Sequence, residues 1–165
     1  MSDLYALTNE MINYYSGDPA RIQHFLKVHS FALLIGTGEN LDENELFILE
    51  TAALTHDIGI KPAEEKFGSS AGKYQEQEGP AVAAEMLGRL GFEQKVIDRV
   101  CYLIGHHHTY DNMDGADYQI LVEADFLVNL YEEKSSRGAV LSAYNKIFRT
   151  KTGRRICRRM FDIEE

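Results

Sequence analysis

The sequence predicts an all-α, single-domain helical bundle of about six to eight helices, on three observations. Apolar residues recur at three- and four-residue spacing along nearly the whole chain. No segment shows a sustained apolar–polar alternation of period two. The breaks between periodic segments carry helix start and stop residues, among them Asp18-Pro19, Asp42, Gly17, Gly59 and Gly91. The chain has 165 residues, 44% of them hydrophobic and 26% charged, which suits one globular domain with a substantial core. No internal repeat, low-complexity tract or proline-rich linker divides it.

Leu4, Leu7, Met11 and Tyr14 or Tyr15 form the apolar stripe of a first helix that Gly17 ends. Asp18 then serves as N-cap and Pro19 as first helical residue of a second, carrying Ile22, Phe25, Val28, Phe31, Ala32 and Ile35 toward Gly36 and Gly38. A third helix runs from near Asp42 through Leu46, Leu49, Ala53 and Leu54 to His56-Asp57, with Gly59 and Pro62 behind it. Residues 61 to about 73 read as a loop, poor in large apolar groups and holding Gly68, Ser69, Ser70 and Gly72. A fourth helix follows Gly79-Pro80 and stops at Gly91, with Val82, Met86, Leu87 and Leu90 on its apolar side. A fifth spans roughly Glu93 to His107, a polar loop covers Thr109 to Gly115, and a sixth runs from about Tyr118 to Glu133. One or two further helices complete the chain.

Composition narrows the function classes. No apolar run approaches the roughly 20 residues that cross a bilayer. The first twenty residues hold Asp3, Glu10 and Asp18 and no basic residue before Arg21, so a signal peptide is not expected. Cys101 and Cys157 are far apart, outside any CxxC arrangement, and read as reduced thiols. These features together predict a cytoplasmic protein. A net charge of -9 argues against general nucleic-acid binding and against a polyanionic partner of that kind. Lys146, Arg149, Lys151, Arg154, Arg155, Arg158 and Arg159 are nonetheless concentrated near the C-terminus. They read either as a solvated helix end or as a phosphate-attracting wall, and the first reading is favoured.

The helical phase of the histidines is more informative than their number. His24 shares a stripe with Val28, Phe31 and Ile35. His56 and Asp57 end a helix whose preceding turns are apolar. Ile97, Val100, Cys101 and Ile104 define an inner face that extends to His107 and His108, whereas His106 follows Arg99 and Tyr102 on the outer side. Asp125 falls among Leu121, Ala124 and Val128. A buried carboxylate costs several kcal/mol, to order of magnitude, unless it is paired or binds a cation. Imidazoles and aspartates on inward stripes of several helices therefore point to a shared divalent metal, with Mn, Fe, Co, Ni or Zn suited to such mixed ligands and Mg a further candidate. A single inward histidine is more often a hydrogen-bonded core residue; His29, lying with Leu26 and Leu33, is read that way.

The order His, His-Asp, His-His, Asp on successive helices resembles the HD superfamily of metal-dependent phosphohydrolases. The stretches that carry it are RIQHFLKVHSFA, AALTHDIGI and VEADFLVN, and the likeness covers roughly residues 21–130. The resemblance implies that His24, His56, Asp57 and Asp125 bind a first metal and that His107 and His108 belong to a second. It implies hydrolysis of a small phosphorylated substrate, nucleotides above all, with Asp57 and Asp125 in catalytic roles. Lys61 is assigned to catalysis and, with Arg21, to substrate phosphate; Lys66 is a further candidate contact, and Glu64 and Glu65 are candidate proton donors. Two departures stand out: Gln75 occupies a position that often holds a histidine in two-metal relatives, with Glu76 or Glu78 as candidate replacements, and Ile60 stands between Gly59 and Lys61. The rival readings are a di-iron oxygenase, as some HD relatives are, a non-catalytic metal- or nucleotide-binding module, and a helical bundle whose histidines coincide by chance.

Overall fold

A computed structural model describes residues 3–164, and these form nine helices with no strand among the described residues. In chain order they are α1 (Asp3–Tyr14), α2 (Pro19–Gly38), α3 (Glu43–Thr55), α4 (Ile60–Phe67), α5 (Gly72–Arg89), α6 (Gln94–Ile104), α7 (Ala116–Glu132), α8 (Arg137–Lys146) and α9 (Lys151–Phe161). The all-α expectation holds. No helix among the described residues is long and apolar enough to cross a membrane.

Local chemistry explains the boundaries that sequence reasoning placed well. The Asp18 side chain accepts from the Arg21 backbone N–H and Pro19 occupies the first turn of α2. Asp42 and Glu45 form a reciprocal capping box at the start of α3. Two boundaries differ. The expected loop after Lys61 is helical over Ile60–Phe67, because Ile60 and Ala63 bury against the body of the protein and Gly68, at φ +64°, ends the helix in a left-handed conformation. Helix α5 begins at Gly72 and carries Pro80 in its interior, where the sequence suggested a start. Proline removes one intrahelical donor there; packing of α5 on α4 and α6 outweighs the local break.

Helix α7 runs through the middle of the bundle and is buried on nearly every side, from Tyr118 to Leu130. It packs mainly on α2, which packs equally on α3. One contiguous core draws on every helix except the short α4. The His56-Asp57 turn passes so close to α5 that a Cβ on Gly59 would stand 2.5 Å from the Gln75 carbonyl and 2.9 Å from the Gly79 Cα. Glycine is required there by space, and the close approach seats the turn directly over α5. Two of the basic C-terminal residues serve the fold. Arg149 donates to the carbonyls of Asn145, Lys146 and Phe148, and the Arg154 guanidinium lies over the Tyr144 ring at 4.1 Å.

Candidate metal centre

Two helices and two turns converge on one point. His24 comes from α2, His56 and Asp57 from the turn after α3, His107 and His108 from the turn after α6, and Asp125 from α7. The Nε2 atoms of His24 and His56 are 3.2 Å apart. Asp57 Oδ2 lies 3.1 Å from the first and 3.4 Å from the second; Asp125 Oδ1 lies 3.2 and 3.3 Å from them. The other oxygen of Asp57, Oδ1, lies 3.5 Å from His107 Nε2. Asp57 thus faces two groups of candidate ligands, one with His24 and His56 and one with His107 and His108.

The hydrogen-bond partners of the rings bear on what this cluster can hold. His56 Nδ1 donates to the Ala53 carbonyl and His107 Nδ1 to the Ile104 carbonyl, both at 2.7 Å. A carbonyl only accepts, so each neutral ring presents a bare Nε2 lone pair to the centre. His24 Nδ1 faces Glu132 Oε1 at 2.6 Å, which fixes the same tautomer. Three lone pairs therefore aim at two carboxylates, an arrangement that repels unless a cation sits between them. Protons meet the need only in part. Burial pulls the His24 imidazole down, yet Asp125 and Asp57 outweigh it and hold it at about 10; the same carboxylates raise His56. Burial pushes Asp57 and Asp125 up, and the facing imidazoles, His56 foremost, hold both well below the carboxylate range. At 3.2 Å a proton on one of the paired Nε2 atoms excludes a proton on the other along that contact. His107 Nε2, on a residue 1% exposed, has no hydrogen-bond partner at all.

A divalent cation could be held by His24, His56 and Asp57, and another by Asp57, His107 and His108. Donor atoms about 2.0–2.2 Å from a common ion stand roughly 3 Å from one another, and His24, His56 and Asp57 show that spacing at each of their three contacts, with Asp125 lying beside both imidazoles. The nitrogen and oxygen donor set suits a transition metal. His108 is less free. Its Nε2 meets Gln75 Oε1 at 3.0 Å, and the Gln75 amide nitrogen is itself anchored on the Ser70 carbonyl. Burial, followed by the neighbouring His107, pulls the His108 imidazole down to about 4, so the ring is neutral at ordinary pH. Neither Glu76 nor Glu78 joins these groups. Glu76 accepts from the His108 backbone and from the Thr109 hydroxyl, and Glu78 pairs with Lys66.

The centre opens into a cavity of about 440 Å³ whose wall includes Arg21, Gln75, Asn129 and Glu132. Arg21 pairs with Asp18 at 3.2 Å and Glu64 at 2.8 Å. Lys61 is placed differently: it lines a smaller neighbouring cavity, donates to the Tyr14 carbonyl and rests over the Tyr14 ring. His106 and His29 stand apart from the centre, His106 bonded to the Tyr102 carbonyl and His29 paired with Glu50. Sequence reasoning missed three supporting groups. Asn129 donates to Asp125 Oδ1, Glu132 orients His24, and the Tyr15 hydroxyl donates to the Asp57 carbonyl. Asn129 and Glu132 follow Asp125 by four and seven residues, the spacing of one helical face, so that signal was present. Tyr15 had none.

An HD domain family model matches residues 21–147. No curated protein matches this chain. A crystal structure of a predicted HD superfamily hydrolase from an uncultured Thermotogales bacterium is similar over 96% of this chain and 84% of its own, with 25% identity and a TM-score of 0.69. The fold, the converging histidines and aspartates and the family match over most of the chain lead to one conclusion: the protein belongs to the HD domain family.

Proposed function

We propose that the protein is a metal-dependent phosphohydrolase acting on a phosphate ester. The observation that carries the reading is the convergence of the His24 and His56 ring nitrogens and an Asp57 oxygen at 3.1–3.4 Å from one another, the spacing of ligands around one cation. His24, His56, Asp57 and Asp125 would hold a first ion, and His107, His108 and the second oxygen of Asp57 would offer a place for another. A divalent metal there would supply positive charge to phosphoryl oxygens and would lower the pKa of a water toward about 7.

The chain's own groups do the rest. Glu132 and the backbone carbonyls of Ala53 and Ile104 keep the three ligand rings in the metal-binding tautomer. Asn129 holds Asp125 Oδ1 from the neighbouring turn. Arg21, fixed by two carboxylates, places a guanidinium on the cavity wall for a substrate phosphate. Lys61 is engaged with Tyr14 beside the cavity, and we assign it no part in binding phosphate.

Elemental analysis of purified protein tests the first half of the reading, and we expect at least one transition metal per chain, lost in His56→Ala and Asp57→Ala. Phosphate release from a panel of phosphomonoesters, phosphodiesters and nucleotides tests the second, with activity abolished by Asp125→Ala. Metal-loaded protein that releases phosphate from none of them would refute the hydrolase reading; bound iron with oxygen-dependent turnover would replace it with an oxygenase.

A further inference from the structure

Two tyrosines at the end of α1 reach the turn that carries Asp57, although the candidate metal ligands all lie between His24 and Asp125 and α1 holds none of them. The hydroxyl of Tyr15, a residue 5% exposed, donates to the Asp57 carbonyl at 2.6 Å. That carbonyl also accepts from the Ile60 N–H at 3.0 Å. The Tyr14 hydroxyl donates to the next carbonyl, that of Ile58, at 2.9 Å. The sequence explains why a side chain is needed there. The Ala63 N–H bonds the Gly59 carbonyl four residues back. The preceding bond of that series would run from residue 62 to Ile58, and Pro62 has no N–H to give. Ile58 is fully buried, so its carbonyl must find a donor elsewhere, and Tyr14 supplies one. Lys61 holds Tyr14 in turn. It donates to the Tyr14 carbonyl at 3.3 Å, with its ammonium 5.1 Å from the centre of the ring. The Tyr14 and Tyr15 rings meet edge to face at 4.8 Å.

We propose that Tyr15 is a positioning residue for Asp57, with Tyr14 as its second: the two hydroxyls clamp the backbone from which Asp57 aims one oxygen at His24 and His56 and the other at His107. The proposal rests on the metal-centre reading above and deepens it. Helix α3 fixes the backbone before Asp57, and Gly59 is wedged against Gln75 and Gly79 of α5. The carbonyls between those two anchors belong to Asp57 and Ile58, the two that the tyrosines take. Rotation of the peptide group that follows Asp57 changes the direction of its Cα–Cβ bond. Each oxygen serves a different group of imidazoles, at 3.1 Å from His24 Nε2 and 3.5 Å from His107 Nε2, so one small rotation disturbs both. The hydroxyls bond the backbone and not the carboxylate. They contribute geometry without occupying a ligand position.

The test is a chelator competition for cobalt(II), whose visible absorption reports ligand geometry, on full-length wild type, Tyr15→Phe, Tyr14→Phe and Val140→Ala. Phenylalanine keeps each ring and removes only the hydroxyl. Val140→Ala thins the core at α8, which carries no ligand, and controls for stability alone. We expect Tyr15→Phe to weaken cobalt binding about tenfold or more, the usual effect of losing a group that orients a ligand, and to shift the absorption band. Tyr14→Phe weakens binding less. Val140→Ala lowers the denaturation midpoint and leaves affinity and band as in wild type. Wild-type affinity and band in Tyr15→Phe, or as great a loss in Val140→Ala, would overturn the proposal. Should Tyr15→Phe not fold, Tyr14→Phe decides: weakened binding supports the clamp, and wild-type binding removes it. Wild-type protein that takes up no cobalt would sink the metal reading instead, and hydrogen exchange in that protein then tests the clamp by itself. Faster exchange of the Ile58 and Ile60 amides in Tyr15→Phe, with α3 unchanged, supports it; unchanged exchange there overturns it.

Discussion

At the level of single residues, the centre is a problem of where protons and cations sit. In metal-free protein the imidazole of His24 is raised to about 10 against an ordinary 6.5. Between those values the folded chain binds more protons than the unfolded one. Its contribution to stability is therefore fully present below about pH 6.5 and is lost as pH rises through 10. His108 acts in the opposite sense. Lowered to about 4 by burial and by His107, it contributes stability above 6.5 that is lost as pH falls toward 4. Thermal melts of chelator-treated protein should accordingly show a melting temperature that declines from pH 7 to pH 10. Metal should flatten that decline, because it replaces the ligand protons. A metal-free melting temperature that climbs steadily over the same range would contradict the geometry proposed for His24. Glu132 makes a second, independent prediction. It accepts the only other proton of the His24 ring, so Glu132→Gln should weaken metal binding by about 10- to 100-fold in a chelator competition, with the fold intact.

Among the elements, the crossing of the His56-Asp57 turn over α5 is the tightest contact that bears on the centre. The atoms a Gly59 Cβ would meet are backbone, from Gln75 and Gly79, and neither can move without shifting α5. Gly59→Ala should therefore destabilise the protein by roughly 1–3 kcal/mol in denaturant unfolding, the usual range for overpacking. It should also lower metal content, because Asp57 lies two residues before the strained point. Gly88 provides the contrast: a Cβ there meets nothing within 4 Å. Gly88→Ala should be neutral or slightly stabilising, by about 0.5–1 kcal/mol from helix propensity. Denaturation midpoints of the two variants, measured side by side, check both.

For the whole molecule, the notable arrangement is the docking of the C-terminal helix on the two helices that carry His24 and Asp125. Glu39, the residue that caps the C-terminus of α2, accepts from the backbone of Lys151 and Thr152 and from the Thr152 hydroxyl. Glu123, from α7 and fully buried, accepts from the backbone of Arg149 and Thr150 and from the Thr150 hydroxyl. Both carboxylates thus cap the N-terminus of α9, where the helix dipole favours negative charge. Glu39→Ala should cost about 1 kcal/mol, the usual worth of a cap. Its signature is local: the amides of residues 151–153 should exchange faster, ahead of those in α2 and α7. Uniform loss of protection across the bundle would instead make α9 part of one cooperative unit with the core.

How much of this was legible in the sequence follows from the range of the forces involved. Apolar period, the Asp18 and Asp42 caps and the stop glycines determined the helical class and most boundaries, because those signals act within one or two turns of the chain. The inward phase of His24, His56, His107 and Asp125 was legible for the same reason. The helix at Ile60–Phe67 and the continuation of α5 through Pro80 were not, because burial against distant helices outweighed local preference. Tertiary structure alone placed Tyr15 under Asp57, tied His108 to Gln75 and turned Lys61 away to Tyr14. It also decided that Asp57 presents its two oxygens to two different sets of histidines. Each of those contacts joins segments tens of residues apart, and a distance across the fold is set by how whole helices pack, which no local pattern encodes.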